Sequence, residues 1–381
     1  MLQRAIFFIF CTFFISCSKN NSDTLFTQLD SSETGIDFKN EVKNGENMNI
    51  FKYRNFYNGG GVAIGDINND GLADVFFTSN QGTNKLYLNK GNFKFEDISS
   101  KSGIEGKKAW STGVVMVDIN DDGYLDIYVL DAGSNIDAIR KSQLYINNKN
   151  NTFTEKAAEY NLADTGITTH AAFFDYDKDG DLDCYILNNS FIPVSSLNYS
   201  NKRELRDKDW DVADILKGGG DKLMRNDNGK FVDVSEASGI YGSLIGFGLG
   251  VTVGDVNGDL YPDIYISNDF YERDYLYINN KNGTFSEQIQ TWATHLSQSS
   301  MGADLADINN DGKPDIFTTD MLPEGDERLK SITSFDNYDL LTRKLSMDFF
   351  NQYMANALHI NDGNHFTEIA NFAGVSKTDW S

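Results

Sequence analysis

Histidine, the side chain used most often in acid–base catalysis, is scarce in this chain, with 4 copies in 381 residues. Neither an HExxH nor a GxSxG motif is present, and no nucleophile lies at a defensible spacing from a base. Acidic pairs could serve a glycosidase, but the best-placed aspartates belong to the loops described below. The sequence therefore argues against an enzyme, and it assigns no role to His170, His295, His359 and His365.

Cysteine is also too rare for a disulfide framework. Of the 3 cysteines, Cys11 lies in the N-terminal apolar run and Cys17 follows that run directly. If Cys17 is acylated, Cys184 is alone, and an exported protein of this size must be stabilised by packing or by metal. Cys184 lies in the segment DCYIL, whose pattern predicts a strand with a small buried residue.

Basic residues are outnumbered, with 33 Lys and Arg against 56 Asp and Glu and a formal net charge of −23. No stripe of Lys or Arg with interleaved aromatic residues is present, and an acidic surface repels nucleic acid. Nucleic acid is therefore not expected as a partner. With 40% apolar and 13% aromatic residues, the chain can bury a sizeable core, which argues against a disordered acidic tail.

The N-terminus has the features of an export signal. Residues 5–15 are apolar, a length too short to span a bilayer as a helix and typical of a signal peptide. The following Ser16 and Cys17 resemble the bacterial lipobox, with Phe14 where that motif usually has Leu. This resemblance predicts a lipoprotein signal peptide at residues 1–17, lipidation of Cys17, a tether at residues 18–24 and export to the bacterial outer membrane or cell surface. An ordinary signal peptide cleaved nearby is the alternative.

Self-comparison shows a two-part unit that occurs five times. The first part, GDINNDGLADVFFTSN at residues 65–80, recurs as VDINDDGYLDIYVL, FDYDKDGDLDCYIL, GDVNGDLYPDIYIS and ADINNDGKPDIFTT. The second part is an LYxN-like segment, KLYLNKGNFKFEDIS in unit 1. The first aspartates of units 1 and 2 are 52 residues apart, as are those of units 4 and 5, whereas the other spacings are 57 and 80 residues. The longer spacings imply insertions.

Each unit is predicted to form four short strands within roughly 50 residues, which is typical of a propeller blade. The predicted fold class is all-β, a β-propeller of four-stranded blades over residues 25–381, and a solenoid of stacked hairpins is the alternative. Residues 25–36 match the exit of a unit, and the C-terminal GVSKTDWS matches the start of one. We therefore expect five blades, a closing strand at residues 25–29 and the start of a sixth blade, from an incomplete ring.

An acidic loop lies in the first part of every unit, and these Asp loops 1 to 5 span residues 66–74, 118–126, 175–183, 255–263 and 307–315. Their positions 1, 3, 5 and 9 all carry side-chain oxygens. In order, the residues are Asp66, Asn68, Asp70, Asp74, Asp118, Asn120, Asp122, Asp126, Asp175, Asp177, Asp179, Asp183, Asp255, Asn257, Asp259, Asp263, Asp307, Asn309, Asp311 and Asp315. Two carboxylates about 4 Å apart repel by roughly 4 kcal/mol, so a cation between them is expected. Oxygen ligands at alternating positions suit a hard cation such as Ca²⁺, and up to five calcium ions are predicted.

Zinc is disfavoured because no His or Cys converges on the Asp loops. An EF-hand would need Glu at position 12, where the loops have Phe77, Val129, Ile186, Ile266 and Thr318. The carbonyl at position 7 is an expected extra ligand, supplied by Leu72, Tyr124, Asp181, Tyr261 and Lys313. Position 6 is Gly in four loops, which is consistent with a positive φ. Leu260 replaces it in loop 4, which predicts either strain of order 1 kcal/mol or weaker calcium binding there.

The repeated D-x-[DN]-x-D-G-x-x-D loop between two strands, preceded by runs such as FGLG at residues 247–250, resembles the FG-GAP/VCBS repeat of integrin α-chain propellers. The LYxN segment and the leader narrow the resemblance to bacterial VCBS lipoproteins, a type often joined to an ASPIC/UnbV domain. The resemblance covers roughly residues 25–381. It implies a propeller that is usually seven-bladed, calcium in the loops, and extracellular binding or adhesion.

Topology indicates where a partner would bind. The Asp loops join strands 1 and 2 of each blade, so the connections between strands 2 and 3 lie on the opposite face, and the inserts at residues 188–220 and 320–356 fall there. The candidate partner residues on that face are Asn188, Asn189, Trp210, Asn268, Asp269, Tyr271, Arg273 and Met321. The predicted function is a calcium-stabilised cell-surface module that binds a protein or a glycan. A propeller-type polysaccharide lyase or hydrolase is the alternative, and helical or irregular inserts without function are the simpler interpretation of the two insertions.

Overall fold

Five four-stranded antiparallel sheets dominate the structure, a computed structural model. It describes residues 25–46, 48–105, 110–132, 140–190, 203, 205–211, 219–270, 272–332, 337–346 and 349–379. In each of these sheets the strands are hydrogen-bonded in chain order, and a separate pair of two-residue strands lies outside them. This is the blade arrangement predicted from the repeat, and the fold is a β-propeller.

The blades are bounded as follows. Blade 1 comprises β1 (Val62–Gly65), β2 (Asp74–Phe77), β3 (Lys85–Asn89) and β4 (Phe95–Asp97). Blade 2 comprises β5 (Ser111–Val117), β6 (Asp126–Asp131), β7 (Gln143–Asn147) and β8 (Phe153–Glu155). Blade 3 comprises β9 (Thr168–Phe174), β10 (Asp183–Asn188), β11 (Lys222–Asn226) and β12 (Phe231–Asp233).

Blade 4 comprises β13 (Gly248–Gly254), β14 (Asp263–Asn268), β15 (Tyr275–Asn279) and β16 (Phe285–Glu287). The short β17 (Leu296–Ser297) precedes blade 5 and pairs in parallel with β20 (Gln352–Tyr353). Blade 5 itself comprises β18 (Gly302–Ala306), β19 (Asp315–Thr319), β21 (Ala357–Asn361) and β22 (Phe366–Glu368).

The first strands of the blades lie side by side in chain order, β1 next to β5, β5 next to β9, β9 next to β13 and β13 next to β18. Successive strands within a blade are antiparallel. All five Asp loops therefore lie on one face of the propeller, and the connections between strands 2 and 3 lie on the other.

The core is divided into apolar layers between neighbouring blades. The residue at position 2 of an Asp loop enters the layer shared with the next blade: Ile67 packs in the cluster that holds Tyr145 and Phe153 of blade 2. Ile119 and Val256 do the same towards blades 3 and 5. Burial of apolar surface between sheets is the main favourable contribution to such a fold. Cys184 is fully buried in the layer between blades 2 and 3, as its segment predicted.

A helix of one turn follows the fourth strand of every blade. These helices are α2 (Ser99–Ser102), α3 (Ala157–Tyr160), α4 (Ser235–Ser238), α5 (Ile289–Trp292) and α8 (Ala370–Ala373). An equivalent helix, α1 (Ser31–Thr34), precedes blade 1, and the Lys94 ammonium donates to the carbonyl of Glu33. Helix α1 thus has the position of the helix that follows a blade. The closing strand predicted at residues 25–29 is wrong: residues 25–30 form no strand, because Leu25 and Phe26 are exposed and pair with no sheet edge among the described residues.

The two inserts differ in how much of them is described. The insert at residues 320–356 contains α6 (Asp326–Ile332) and α7 (Tyr338–Leu345) as well as β20, so its described part is helical in two segments and otherwise irregular or extended. The insert at residues 188–220 lies mostly outside the described residues, apart from its two ends and a 3-10 turn at Asp207–Asp209. No helix among the described residues is long and apolar enough to cross a membrane.

Candidate metal centres in the Asp loops

Each Asp loop is a hairpin whose first carboxylate organises the turn. In loop 1 strand pairing ends with Gly65 opposite Asp74. The Asp66 carboxylate then accepts the backbone N–H groups of Asp70 at 3.2 Å and Gly71 at 2.7 Å. The same pair of bonds is present in the other four loops. Position 1 therefore folds the loop and brings the side chains at positions 3 and 5 beside it.

The carboxylate at position 9 is buried at the base of each loop. Asp74 accepts the N–H of Ile67, at position 2, at 3.0 Å and the N–H of Asn89, on β3, at 2.7 Å. Equivalent bonds hold Asp126, Asp183, Asp263 and Asp315. Burial raises the pKa of Asp126 to about 6 and that of Asp183 to about 7. Each carboxylate oxygen has a lone pair that its hydrogen bond does not use, so the position 9 side chain can also coordinate a cation.

Loop 3 has the most carboxylate side chains at the predicted ligand positions. Carboxylate oxygens of Asp175, Asp177 and Asp183 lie within 4.8 Å of one another, and this is the one such acidic group among the described residues. One oxygen of Asp177 and one of Asp181 are buried and have no hydrogen-bond partner. Burial and the neighbouring Asp179 carboxylate raise the pKa of Asp177 and of Asp181. Unpartnered buried carboxylate oxygens are costly, and a cation in the loop would satisfy them.

The donor set of the loops fits a hard divalent cation. Every side chain at positions 1, 3, 5 and 9 offers oxygen. The hydrogen bonds described above join positions 1 and 9 to the loop backbone in all five loops, and among the described residues three carboxylates converge within 4.8 Å in loop 3 alone. In the other four loops position 3 is Asn, whose oxygen accepts the N–H of position 5, as Asn68 does from Asp70 at 3.1 Å. These four loops therefore have one carboxylate fewer than loop 3 at the predicted ligand positions.

Loop 4 keeps the same geometry despite Leu260. The Leu260 N–H donates to Asp255 at 2.7 Å, and its φ is 70°. Gly258, at position 4, has a φ of 74°, at a place where the other loops carry Asn69, Asp121, Lys178 and Asn310. Of the two predicted outcomes, strain or weaker calcium binding, the positive φ of Leu260 agrees with strain.

The Asn that ends the third strand of every blade was not among the predicted site residues. We call Asn89, Asn147, Asn226, Asn279 and Asn361 the clamp asparagines. Their side chains donate to the carbonyl at position 8 of their own Asp loop, as Asn279 does to Pro262 at 3.3 Å. Three of them also donate to the position 2 carbonyl of the preceding blade: Asn147 to Ile67, Asn279 to Tyr176 and Asn361 to Val256, at 2.8–2.9 Å. The Asn in every LYxN-like segment was the sequence signal for this role.

On the opposite face, most of the candidate partner residues are buried. Asn188, Asn189, Asn268, Asp269 and Arg273 are each less than a tenth exposed. Several of them fix the chain where it leaves strand 2: Asn188 donates to Asp221 and Gly220, and Asn268 donates to Asp274 and Arg273. Trp210 and Met321 are half-buried, and Tyr271 lies outside the described residues.

A segment before blade 1 crosses that face. We call residues 37–59, without residue 47, the strap. Asn40 and Asn80 exchange hydrogen bonds, and buried Tyr53 and Phe56 pack on Trp110 with ring centroids 5.5 and 5.1 Å apart. The strap joins blade 1 to blade 2 along this face.

The strap also reaches blade 4. The Arg54 guanidinium lies 4.5 Å from the ring centroid of Phe270, in the connection after β14. A cation over an aromatic face is attracted by the ring quadrupole. The strap therefore bridges blades that are not neighbours, and no sequence motif indicated this contact.

Comparison with known proteins identifies the repeat. The sequence matches the FG-GAP-like repeat family over residues 52–129, 133–186 and 255–318, together just over half of the chain. Curated relatives include cartilage acidic protein 1 of Xenopus tropicalis, 40% identical over 74 residues, and that of Homo sapiens, 35% identical over 72 residues. Each match covers 19% of this chain and 11% of the relative. These relatives are animal proteins, so they do not show the bacterial ASPIC/UnbV-associated type that the motifs implied.

Among solved structures, the chain is similar to an Agrocybe aegerita lectin described as recognising non-reducing terminal N-acetylglucosamine. That similarity has a TM-score of 0.43 and 16% identity, and it covers 80% of this chain and 64% of the lectin. The V. cholerae biofilm matrix protein Bap1 follows with a TM-score of 0.35 and 14% identity, covering 69% of this chain and 34% of that protein. On the extent of the family match, the five-fold repeat and the blade structure, this chain belongs to the FG-GAP-like repeat family.

Proposed function

We propose that this chain is a calcium-stabilised extracellular binding module that recognises a protein or a glycan through the face opposite the Asp loops. The observation that carries the calcium part is loop 3, where three carboxylates converge and two buried carboxylate oxygens have no partner. Calcium takes six to eight oxygen ligands in flexible geometry, which matches a loop of side-chain and carbonyl oxygens. The FG-GAP-like family supports the same proposal.

Several residues of each Asp loop would coordinate the calcium ion. Positions 1, 3, 5 and 9 would supply side-chain oxygens, and the carbonyl of position 7 would supply one more. Bound calcium would neutralise the repelling carboxylates at each hairpin. At 100 times its dissociation constant, one ion would stabilise the folded state by about 2.7 kcal/mol.

The proposed partner surface uses the accessible parts of the opposite face. The buried asparagines there hold the scaffold, so contact would be made by groups such as Phe51 and Tyr57 of the strap, which are 97% and 59% exposed. Trp210, Met321 and the helices of the insert at residues 320–356 lie on the same connections. Exposed aromatic groups on loops of a rigid scaffold favour a binding role.

Export is the remaining part of the proposal. The leader supports a bacterial lipoprotein anchored through Cys17 at the outer membrane or cell surface, and Cys17 lies outside the described residues. A lipid anchor alone would hold the protein on the membrane. We expect the wild-type protein to need detergent for extraction from cells and the Cys17→Ala variant to be released without it; equal release of both would contradict the anchor.

Calcium stoichiometry tests the central proposal. Equilibrium dialysis of the wild type and of Asp179→Ala should differ by about one ion per chain, because the substitution removes the position 5 ligand of loop 3. Glu105→Ala, an exposed acidic residue outside the loops, is the matched control and should bind as many ions as the wild type. Unchanged stoichiometry in Asp179→Ala, or no calcium bound by the wild type, would overturn the assignment.

A further inference from the structure

The five units differ at one position in the turn between strands 3 and 4, near the Asp loop. Two residues after the clamp asparagine, the units carry Gly91, Lys149, Asn228, Lys281 and Gly363. In units 2 and 4 this position is therefore a lysine. Because the units share one backbone plan, they serve as comparisons for one another.

Both lysines extend into the Asp loop of their own blade. The Lys149 ammonium lies 3.5 Å from the Asp122 carboxylate and donates to the Asp122 carbonyl at 3.2 Å. The Lys281 ammonium lies 3.3 Å from the Asp259 carboxylate. Asp122 and Asp259 are the position 5 residues of loops 2 and 4, so each lysine contacts a proposed calcium ligand.

The backbone shows that these lysines stand where glycine is favoured. Lys149 has a φ of 63° and Lys281 a φ of 61°, and the equivalent Gly91 and Gly363 have values of 81° and 93°. A non-glycine residue in this left-handed region is strained. The turn is fixed there because the clamp asparagine accepts the N–H of this residue, at 2.8 Å for Lys149.

A tyrosine accompanies each lysine at position 7 of the same loop. The ring centroid of Tyr124 lies 5.1 Å from the Lys149 ammonium, and that of Tyr261 lies 5.6 Å from the Lys281 ammonium. The Lys178 ammonium of loop 3 also lies over Tyr261, at 4.5 Å. Position 7 of the remaining loops is Leu, Asp or Lys. The lysine and the tyrosine thus occur together, in loops 2 and 4.

Loop 3 is the contrasting case. The cation on the neighbouring strand, Arg225, is held by Asp227 through two bonds of 2.7 and 3.1 Å. Its charge lowers the pKa of Asp177, but burial and the Asp179 carboxylate outweigh it and the pKa is raised. The carboxylates of Asp175, Asp177 and Asp183 lie close together in this loop, and the buried oxygens of Asp177 and Asp181 have no hydrogen-bond partner. Its proposed calcium site therefore has more negative charge and no lysine at the turn position.

We propose that Lys149 and Lys281 are internal counter-cations that weaken calcium binding at loops 2 and 4, so that loop 3 fills at lower calcium concentration. The inference rests on the proposed function of the loops. In the calcium-free protein each ammonium relieves carboxylate repulsion, and in the calcium-bound protein the same ammonium lies beside a divalent cation. Both lysine side chains are 47% exposed, so each effect is that of a partly solvated ion pair.

The experiment titrates calcium into Lys149→Met, Lys281→Met and the double variant at fixed ionic strength, with calorimetric detection. We expect the affected sites to bind calcium about two- to fivefold more tightly. The calcium-free variants should melt at a lower temperature than the calcium-free wild type. Lys90→Met removes an exposed lysine from the equivalent turn of blade 1, where no contact with an Asp loop exists among the described residues, and should change neither quantity.

The reciprocal variant Gly91→Lys should weaken calcium binding at loop 1, because it places a lysine at the turn position beside that loop. An added Cβ meets only Leu72 Cδ1, at 4.0 Å, so the substitution has room. Gly91→Gln controls for backbone strain without the charge. If the wild type binds no calcium, the proposed function itself fails. If it binds calcium and the lysine variants keep wild-type affinity, or if they lose stability with and without calcium to the same extent, the counter-cation inference is overturned while the proposed function stands.

Discussion

Two residues in loop 4 retain the backbone conformation of the other Asp loops, although one of them is strained. Gly258 and Leu260 exchange the residue types found at positions 4 and 6 of the other loops, and both backbones remain left-handed. Leu260 is 76% exposed, so its side chain gains little from packing. The strain at this position is therefore not repaid by burial.

Leu260→Gly should stabilise the protein by about 0.5–1 kcal/mol, because glycine removes the left-handed penalty and loses part of that gain through its freer unfolded chain. Urea unfolding in calcium-free buffer measures the change. Gly71→Leu in loop 1 is the reverse substitution, at a φ of 83° with no atom within 4 Å of the added carbon, and should destabilise by a similar amount. A destabilised Leu260→Gly variant would show that the leucine side chain makes a favourable contact.

At the scale of elements, the strands were predictable and the short helices were not. The repeat predicted four strands per unit because apolar alternation and turn residues recur at fixed offsets. Helices α2 to α5 and α8 have four residues each, too few for a helical periodicity. A local signal did exist, since an acidic side chain two residues before the helix accepts its first N–H, as Asp97 does from Ser99.

Sequence patterns could not predict the strap or the burial of the candidate partner residues. Topology correctly separates the two faces, but it does not say which side chains on a connection point inward. Asn188 and Asn268 look like exposed polar loop residues in the sequence, and in the structure they hydrogen-bond the chain at the ends of β10 and β14. The contact of Arg54 with Phe270 joins residues far apart in the chain, for which no periodicity or motif exists.

At the scale of the whole molecule, the clamp asparagines link blades in series. Each of three clamp asparagines hydrogen-bonds both its own Asp loop and the Asp loop of the blade before it. Asn226 is the exception: its side chain donates to Leu182 of its own blade, and no bond to loop 2 exists among the described residues. The chain therefore contains a matched pair, Asn279 and Asn226, which are 3% and 4% exposed.

Asn279→Ala should cost more stability than Asn226→Ala, by about 1 kcal/mol, because it leaves the Tyr176 carbonyl without its donor as well as breaking the bond within its own blade. Urea unfolding of both variants measures the difference. It should persist in chelator, since the bond between blades involves no metal. Equal losses in the two variants would mean that the contact between loop 3 and blade 4 is maintained by apolar packing of Tyr176 against Phe285, whose ring centroids are 5.8 Å apart. In that case the hydrogen bond would orient the loop without stabilising the ring.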